Sequence, residues 1–181
     1  VTKVIRSGII AQGPVVKELE QKFAEYIGVK HAVMLNSGTA ALHAALAVAG
    51  IKKGDEVITT PFSFVATANT ILMVGAKPIF ADISNDDFNI DFNKIKEKIT
   101  DKTKAIIAVD LYGQIANYEE IEPYCKENDI VLITDSCQAI ASEQNGKKAG
   151  AFGDMGTFSF YATKNICCGE GGFLTTNNDE Y

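Results

Sequence analysis

Short apolar runs alternate with helical patterns along almost the whole of this 181-residue chain. Seven runs have the length and composition of strands, at residues 31–36, 56–60, 78–82, 105–111, 131–135, 157–161 and 172–176. Helical patterns lie between them, near residues 39–49, 65–74, 92–99 and 118–128. Because parallel strands need crossover helices and are apolar throughout when both faces are covered, this alternation predicts an α/β fold. We expect a mostly parallel seven-stranded sheet flanked by helices.

One more helix is predicted near the start of the chain. Gly13-Pro14 opens it, since proline suits the first turn of a helix, and Gly28 is placed to end it. Five side chains of this helix are expected on one face: Val16, Leu19, Phe23, Tyr26 and Ile27. No repeat, low-complexity tract or linker divides the sequence, so we expect a single domain over residues 1–181.

Composition argues against several classes of function. The net charge is −6 and the basic residues are scattered, which disfavours a nucleic-acid surface. No apolar run approaches the roughly 20 residues of a membrane span, and the first residues lack the apolar core of a signal peptide. Four cysteines without CxxC spacing and two histidines make a metal site improbable. We therefore expect a cytoplasmic protein with reduced thiols and no metal.

A candidate anion site follows the first strand. Ser37, Gly38 and Thr39 open a helix rich in alanine, where free backbone N–H groups and the positive helix end attract a phosphate. Ser37 and Thr39 add hydroxyl groups, and Gly38 allows close approach of the anion. A plain helix N-cap is the alternative for this motif taken alone.

Phe64 lies just after the second strand, in the segment Pro61-Phe62-Ser63-Phe64. An aromatic ring at this point could stack on a flat ligand. Core packing is the default for any phenylalanine, and it is the interpretation favoured by this residue alone.

Asp135 ends an apolar strand, with Gln138 three residues later. Ionising a carboxyl group there is costly unless a cation faces it, and a protonated pyridine ring would serve. Gln138 could donate to an oxygen of the same ring. The alternatives are an aspartate bonded to backbone groups and a glutamine on the surface.

Lys164 lies 29 residues after Asp135, at the end of the next predicted strand, with Ser159 five residues before it. Any single lysine is usually a solvated charge. Because the carboxyl ends of parallel strands meet at one sheet edge, however, Asn36-Ser37, Asp135 and Tyr161 are expected to gather there. A phosphate cradle, a carboxylate and a lysine in this order favour a pyridoxal phosphate enzyme, with Ser159 as a second phosphate donor.

At these residues the chain resembles the DegT/DnrJ/EryC1/StrS family of pyridoxal phosphate-dependent sugar aminotransferases. The resemblance covers nearly the whole chain, on the motifs Gly13-Pro14, Asn36-Ser37-Gly38-Thr39-Ala40-Ala41-Leu42, Pro61-Phe62-Ser63-Phe64-Val65-Ala66-Thr67-Ala68-Asn69, Leu111-Tyr112-Gly113-Gln114, Asp135-Ser136-Cys137-Gln138-Ala139, Phe158-Ser159-Phe160-Tyr161-Ala162-Thr163-Lys164-Asn165 and Gly169-Glu170-Gly171-Gly172.

The resemblance implies an aspartate aminotransferase-like large domain of fold type I. Matched by position, Lys164 would form the Schiff base with the cofactor and Asp135 would pair with the pyridine nitrogen. Gln138 would contact the phenolic oxygen and Phe64 would stack on the ring. Three residues would hold the phosphate: Ser159, Gly38 and Thr39.

The same resemblance implies a homodimer that transfers an amino group from glutamate or glutamine to a nucleotide-linked keto-sugar. Such reactions supply sugars for cell-surface polysaccharides or secondary metabolites. Members of the family are longer, so we expect residues 1–181 to lack a C-terminal small domain and some N-terminal residues. Asp110, Ile140 and Ala141 depart from the common His and His-Gly of relatives, which leaves the substrate subclass open. A dehydratase branch has histidine in place of the lysine, and Lys164 argues against it.

Two other functions remain open from the sequence. One is another fold type I enzyme, such as a lyase or desulfurase. The other is a non-catalytic regulator that binds pyridoxal phosphate or a sugar nucleotide, which would tolerate the loss of Lys164.

Overall fold

The computed structural model describes all 181 residues. Six α-helices and nine strands follow one another in the order α1 (Thr2–Ser7), α2 (Pro14–Ile27), β1 (His31–Leu35), α3 (Gly38–Val48), β2 (Glu56–Thr59), α4 (Ala66–Met73), β3 (Lys77–Phe80), α5 (Phe92–Lys96), β4 (Thr103–Val109), α6 (Tyr118–Glu127), β5 (Val131–Asp135), β6 (Glu143–Gln144), β7 (Lys147–Lys148), β8 (Met155–Ser159) and β9 (Gly172–Thr176). A single 3₁₀ turn, Leu111–Gly113, follows β4. No helix is both long and apolar enough to cross a bilayer.

Seven strands form one sheet in the order β1-β9-β8-β5-β4-β2-β3. The pairs within β8-β5-β4-β2-β3 are all parallel, and β9 runs antiparallel to both of its neighbours. The predicted mostly parallel seven-stranded sheet is therefore confirmed. Because β9 alone is reversed, β1, β5 and β8 point the same way, and their carboxyl ends lie at one edge.

The two faces of the sheet carry different helices. Ala41, Leu42 and Ile71 of α3 and α4 pack with Ile133 of β5 on one face. Ile121 and Cys125 of α6 pack with Leu132 on the other. Since successive side chains of a strand point to opposite faces, Asp135 lies on the α3/α4 side and Asp110, which follows β4, on the α6 side.

Helix α2 begins and ends where the sequence predicts. Pro14 occupies the first turn, and Gly28 takes the left-handed conformation at φ 85° that ends it. Phe23 stacks on Phe173 at a ring-centroid distance of 4.2 Å. The five predicted side chains share one face of α2, but only Phe23 and Ile27 among them are buried, while Leu19 and Tyr26 are 40% and 46% exposed.

Three other details differ from the sequence predictions. Helix α1 and the β6–β7 hairpin were not predicted, because α1 buries none of its residues and each hairpin strand has only two residues. Strand β4 ends at Val109, two residues early, since the chain turns at Leu111–Gly113. Strand β8 likewise ends at Ser159, so Tyr161 lies in the loop that follows it.

Candidate active site

A cavity of about 420 Å³ opens at the carboxyl edge of the sheet. It is lined by all eight residues selected from the sequence: Ser37, Gly38, Thr39, Phe64, Asp135, Gln138, Ser159 and Lys164. The same wall includes Leu42, Ser63, Ala66, Cys137, Tyr161, Thr163 and Glu170. The fold therefore brings together residues that lie up to 127 positions apart in the chain.

The N-terminus of α3 forms one end of this cavity. The Ser37 hydroxyl oxygen accepts a hydrogen bond from the Ala40 N–H at 3.1 Å, so Ser37 is an N-cap. The N–H groups of Gly38 and Thr39 lie in the first turn, where the helix itself offers no acceptor. The cap and the anion cradle are thus compatible, because the cap uses the third N–H and leaves two for a ligand.

Packing requires a glycine at position 38, in addition to the close approach of an anion that glycine allows. A Cβ atom at this position would lie 2.8 Å from the Cys137 Sγ atom and 2.8 Å from the Ser159 Cβ atom. The start of α3 therefore rests directly on the ends of β5 and β8. The sequence predicted only that glycine admits an anion; the structure adds that no side chain fits there.

Asp135 is 5% exposed and faces α4. Its Oδ2 atom accepts a hydrogen bond from the Thr67 hydroxyl at 2.8 Å, and its Oδ1 atom accepts one from the Cys137 N–H at 3.3 Å. No Lys, Arg or His forms an ion pair with it within 4 Å. A buried carboxylate with two neutral donors and no cation can still accept a positively charged partner from a ligand.

Lys164 lies in the loop between β8 and β9. A bridge between Tyr161 and Gly169 closes this loop, and the Lys164 N–H donates to the Tyr161 carbonyl at 2.9 Å. The side chain is half-buried on the cavity wall, and its Nζ atom has no carboxylate within 4 Å. Lys164 is therefore not the solvated surface charge that a lone lysine usually is.

Phe64 is 67% exposed at the mouth of the cavity. The default prediction of core packing for this residue is therefore wrong. The residue lies two positions before the start of α4 and lines the cavity. Stacking on a ligand ring stays a prediction.

Gln138 is held by a backbone group on a neighbouring loop. Its Oε1 atom accepts a hydrogen bond from the Tyr112 N–H at 2.9 Å. Because the oxygen is used in this way, the side-chain NH₂ group is the end left to donate to a ligand. Gln138 is half-buried on the cavity wall, and its contact with a ligand stays a prediction.

Several site residues were not selected from the sequence. Thr67 and Cys137 contact Asp135, while Thr163 and Glu170 complete the wall near Lys164. Burial, and then the charge of Asp135, raise the pKa of the Cys137 thiol well above its ordinary value, so it stays protonated. Thr67 is the second residue of α4, and nothing in the local sequence indicates its contact with a strand 68 positions away.

A second buried carboxylate lies behind the cavity. Asp110 has no exposed surface, and it accepts hydrogen bonds from Ser136, Tyr118 and Ala116. Burial raises the pKa of Asp110 to about 6, against the effect of these three donors. Since Asp110 does not line the cavity, it is not a candidate to contact a ligand.

The donor set fits pyridoxal phosphate. The cradle at α3 suits a phosphate, the unpaired carboxylate of Asp135 suits a protonated ring nitrogen, and the amine of Lys164 suits an aldehyde. A metal ion is a poorer fit, because no three His, Cys, Asp or Glu side chains cluster anywhere in the chain.

Comparison with known proteins supports the same assignment. The model of the DegT/DnrJ/EryC1/StrS aminotransferase family matches residues 1–181. The GDP-perosamine synthase of Vibrio cholerae is 43% identical over 171 residues, 94% of this chain and 47% of that protein. The UDP-2-acetamido-2-deoxy-3-oxo-D-glucuronate aminotransferase of Pseudomonas aeruginosa is 38% identical over 181 residues, 99% of this chain and 50% of that protein.

A solved structure gives the same result for the fold. A Streptococcus pneumoniae protein described as a sugar aminotransferase, in its PLP form, superposes with a TM-score of 0.93 at 35% identity. The superposition covers 99% of this chain and 50% of that one. The fold is therefore that of fold type I aminotransferases, and the chain spans about half the length of the curated relatives it matches.

Proposed function

The chain belongs to the DegT/DnrJ/EryC1/StrS aminotransferase family, and from that premise we propose that the protein aminates a nucleotide-linked keto-sugar with pyridoxal phosphate as cofactor. Glutamate or glutamine is the proposed amino donor. One observation carries the proposal: the buried Asp135 and the Lys164 amine line the same cavity, and neither forms an ion pair with another residue.

The proposed acceptor rests on what the relatives share. The V. cholerae relative is named for a GDP-linked sugar and the P. aeruginosa relative for a UDP-linked one. The two relatives are 43% and 38% identical to this chain, and this small difference does not favour either nucleotide. The shared chemistry is a ketone on a sugar that is joined to a nucleoside diphosphate.

Pyridoxal phosphate, when bound, supplies an aldehyde that carries the amino group and a ring that withdraws electrons from the reacting carbon. The N–H groups of Gly38 and Thr39, with the hydroxyls of Ser37, Thr39 and Ser159, would bind the phosphate. Asp135 would hold a proton at the ring nitrogen, and Gln138 would donate to the ring oxygen. Phe64 would cover the ring face and exclude water.

Lys164 has two roles in this proposal. Its Nζ atom would bind the aldehyde carbon at rest. As a free amine, it would then remove the proton from the donor α-carbon and return a proton to the cofactor side, as a general base and acid. Lys164 lines the cavity and its Nζ atom has no carboxylate partner, which suits both roles because no ion pair must break first.

We further propose that the protein works as a homodimer in the cytoplasm. Large apolar side chains are exposed beside the cavity mouth, including Phe62, Phe64 and Val65, which are 45%, 67% and 60% exposed. A second copy would cover them. All four cysteines are free thiols, as suits a reducing compartment.

Borohydride trapping tests the covalent role. The intact protein is incubated with pyridoxal phosphate, reduced, digested and analysed by mass spectrometry. We expect one adduct, on Lys164, which is absent from Lys164→Ala and kept in Lys126→Ala, an exposed control on α6. An unmodified Lys164 peptide in the wild-type protein would overturn the proposal.

Transfer assays separate the enzyme classes. Amino-group transfer from glutamate and glutamine is measured against a panel of GDP- and UDP-linked keto-sugars. Release of ammonia or sulfide without transfer would favour a lyase or desulfurase. Unchanged biological activity of Lys164→Ala would favour the non-catalytic regulator.

A further inference from the structure

The amide of Gln138 takes its direction from a loop outside the cavity. Its Oε1 atom accepts the Tyr112 N–H at 2.9 Å, which leaves the NH₂ group free to donate to a ligand. Tyr112 has φ 52° and Gly113 has φ 90°, two successive left-handed residues. A chain rarely holds this geometry without support, which raises the question of what fixes the loop.

Asn89 spans this loop with both ends of its side chain. Its Oδ1 atom accepts the Leu111 N–H at 3.1 Å, and its Nδ2 atom donates to the Gln114 carbonyl at 3.0 Å. Asn89 is 2% exposed and does not line the cavity. One buried amide therefore brackets Tyr112 on both sides.

Asp110, at the start of the same loop, anchors it through a buried carboxylate. Its carboxylate accepts the Ala116 N–H at 3.1 Å and the Tyr118 hydroxyl at 2.8 Å. It also accepts the Ser136 hydroxyl at 2.5 Å, and Ser136 lies two residues before Gln138. Asp110 therefore contacts both segments that form the Tyr112–Gln138 hydrogen bond: the loop that carries Tyr112 and the turn that carries Gln138.

We propose that Asn89 and Asp110 are positioning residues: they hold loop 110–116 so that the Tyr112 N–H fixes the Gln138 amide with its NH₂ group toward the cavity. This deepens the proposed function and rests on it for the identity of the ligand. With the amide fixed, its NH₂ group favours an acceptor atom at that point, such as a ring oxygen.

The first test does not depend on the cofactor. A crystal structure of the intact Asn89→Ala protein without cofactor is expected to show the Tyr112 N–H and Gln138 Oε1 separated beyond hydrogen-bond distance. If the bond is retained, the proposal is overturned, whatever the protein binds. Tyr118→Phe, a milder change that removes one donor to Asp110, gives the same test if Asn89→Ala fails to fold.

The second test is a double-mutant cycle on the affinity for pyridoxal phosphate. Asn89→Ala and Gln138→Ala are each expected to weaken binding by about tenfold, the effect of one hydrogen bond to a polar ligand. The double variant is expected to bind no more weakly than Gln138→Ala alone, because the first residue acts through the second. Additive losses, or no loss in Asn89→Ala, would contradict the proposal.

A spectroscopic readout distinguishes positioning from general stability. The pH midpoint of the visible absorption of the bound cofactor is expected to shift equally in Asn89→Ala and Gln138→Ala. Thr175 lies on β9, outside the cavity wall, and its buried hydroxyl donates to the Gly150 carbonyl. Thr175→Val removes this hydrogen bond and is expected to leave the midpoint unchanged. An equal shift in Thr175→Val would overturn the positioning role. Absence of any Lys164 adduct in the wild-type protein would overturn the proposed function instead, and the crystal structure would still decide the role of the loop.

Discussion

The hydroxyl group of Thr67 donates a hydrogen bond of 2.8 Å to the Oδ2 atom of Asp135. Thr67 is 1% exposed on α4, and the Ser63 hydroxyl lies 3.1 Å from its oxygen. The carboxylate at the end of β5 is therefore oriented by a helix that packs on the same face of the sheet.

Thr67→Val keeps the shape of the side chain and removes the donor. A hydrogen bond to a charged group is worth about 1.5–3 kcal/mol, so we expect kcat to fall by roughly tenfold or more. Thr67→Ser keeps the hydroxyl and is expected to retain most of the activity. Steady-state kinetics of the two variants check this, and equal rates for them would contradict a role for the hydrogen bond.

Asp135→Asn removes the charge and keeps the volume. Without a carboxylate to hold a proton at the ring nitrogen, we expect kcat to fall by at least about 10²-fold, the scale of a lost acid–base partner. Pyridoxal phosphate affinity should fall by less, because the phosphate cradle at α3 is intact. Turnover and the dissociation constant are measured side by side. Equal losses in both quantities would argue against an electronic role.

Gly38→Ala is expected to destabilise the fold as well as the site. The added methyl group would lie 2.8 Å from both Cys137 and Ser159, and overpacking of this kind costs about 1–3 kcal/mol. Thermal unfolding and cofactor affinity should both worsen. Thr39→Ala, which removes atoms beside it, is the control and is expected to weaken affinity with little change in unfolding temperature. A fully stable Gly38→Ala would show that the start of α3 can move away from the sheet.

Asp110 should make stability depend on pH in the acidic range. Burial raises its pKa from the ordinary 3.8 to about 6, so the folded state disfavours its ionised form. This contribution to stability is fully present below about pH 4 and is lost as the pH rises through about 6. At 1.4 kcal/mol per pKa unit it amounts to about 3 kcal/mol.

The comparison with Asp110→Asn isolates that effect from other carboxyl groups. The free energy of unfolding of the wild type minus that of the variant is expected to increase as the pH falls from about 7 to about 4. Denaturant unfolding at several pH values measures it. A difference that stays constant over this window would mean that Asp110 titrates normally.

The four thiols should react in two classes. Burial raises the pKa of Cys125 to about 12 and that of Cys137 well above its ordinary value. Cys167 and Cys168 are exposed. Because the thiolate is the reactive form, we expect an aromatic disulfide reagent to modify these two rapidly and the two thiols with a raised pKa slowly. Rapid reaction of more than two thiols in the folded protein would contradict the raised pKa of Cys125 or Cys137.

The order of strands and helices could be predicted from local patterns, because each strand is a short apolar run between turn residues. The two-residue strands β6 and β7 escaped prediction because they are too short for a pattern, and α1 escaped because it buries none of its residues. The reversal of β9 also has no local signature. It depends on the tight loop that returns from β8 and carries Lys164.

The sequence by itself determined the chemistry of the site: a helix start for an anion, a carboxylate, a glutamine and a lysine, each after a strand. Only the tertiary structure decided how these groups are held. Thr67, Tyr112 and Asn89 act through hydrogen bonds to residues 22 to 68 positions away. Such contacts depend on which face of the sheet a side chain occupies and on backbone direction, and neither is encoded in the identity of a single residue. Phe64 shows the same limit, because an apolar side chain belongs to the core or to a cavity mouth according to what packs beside it.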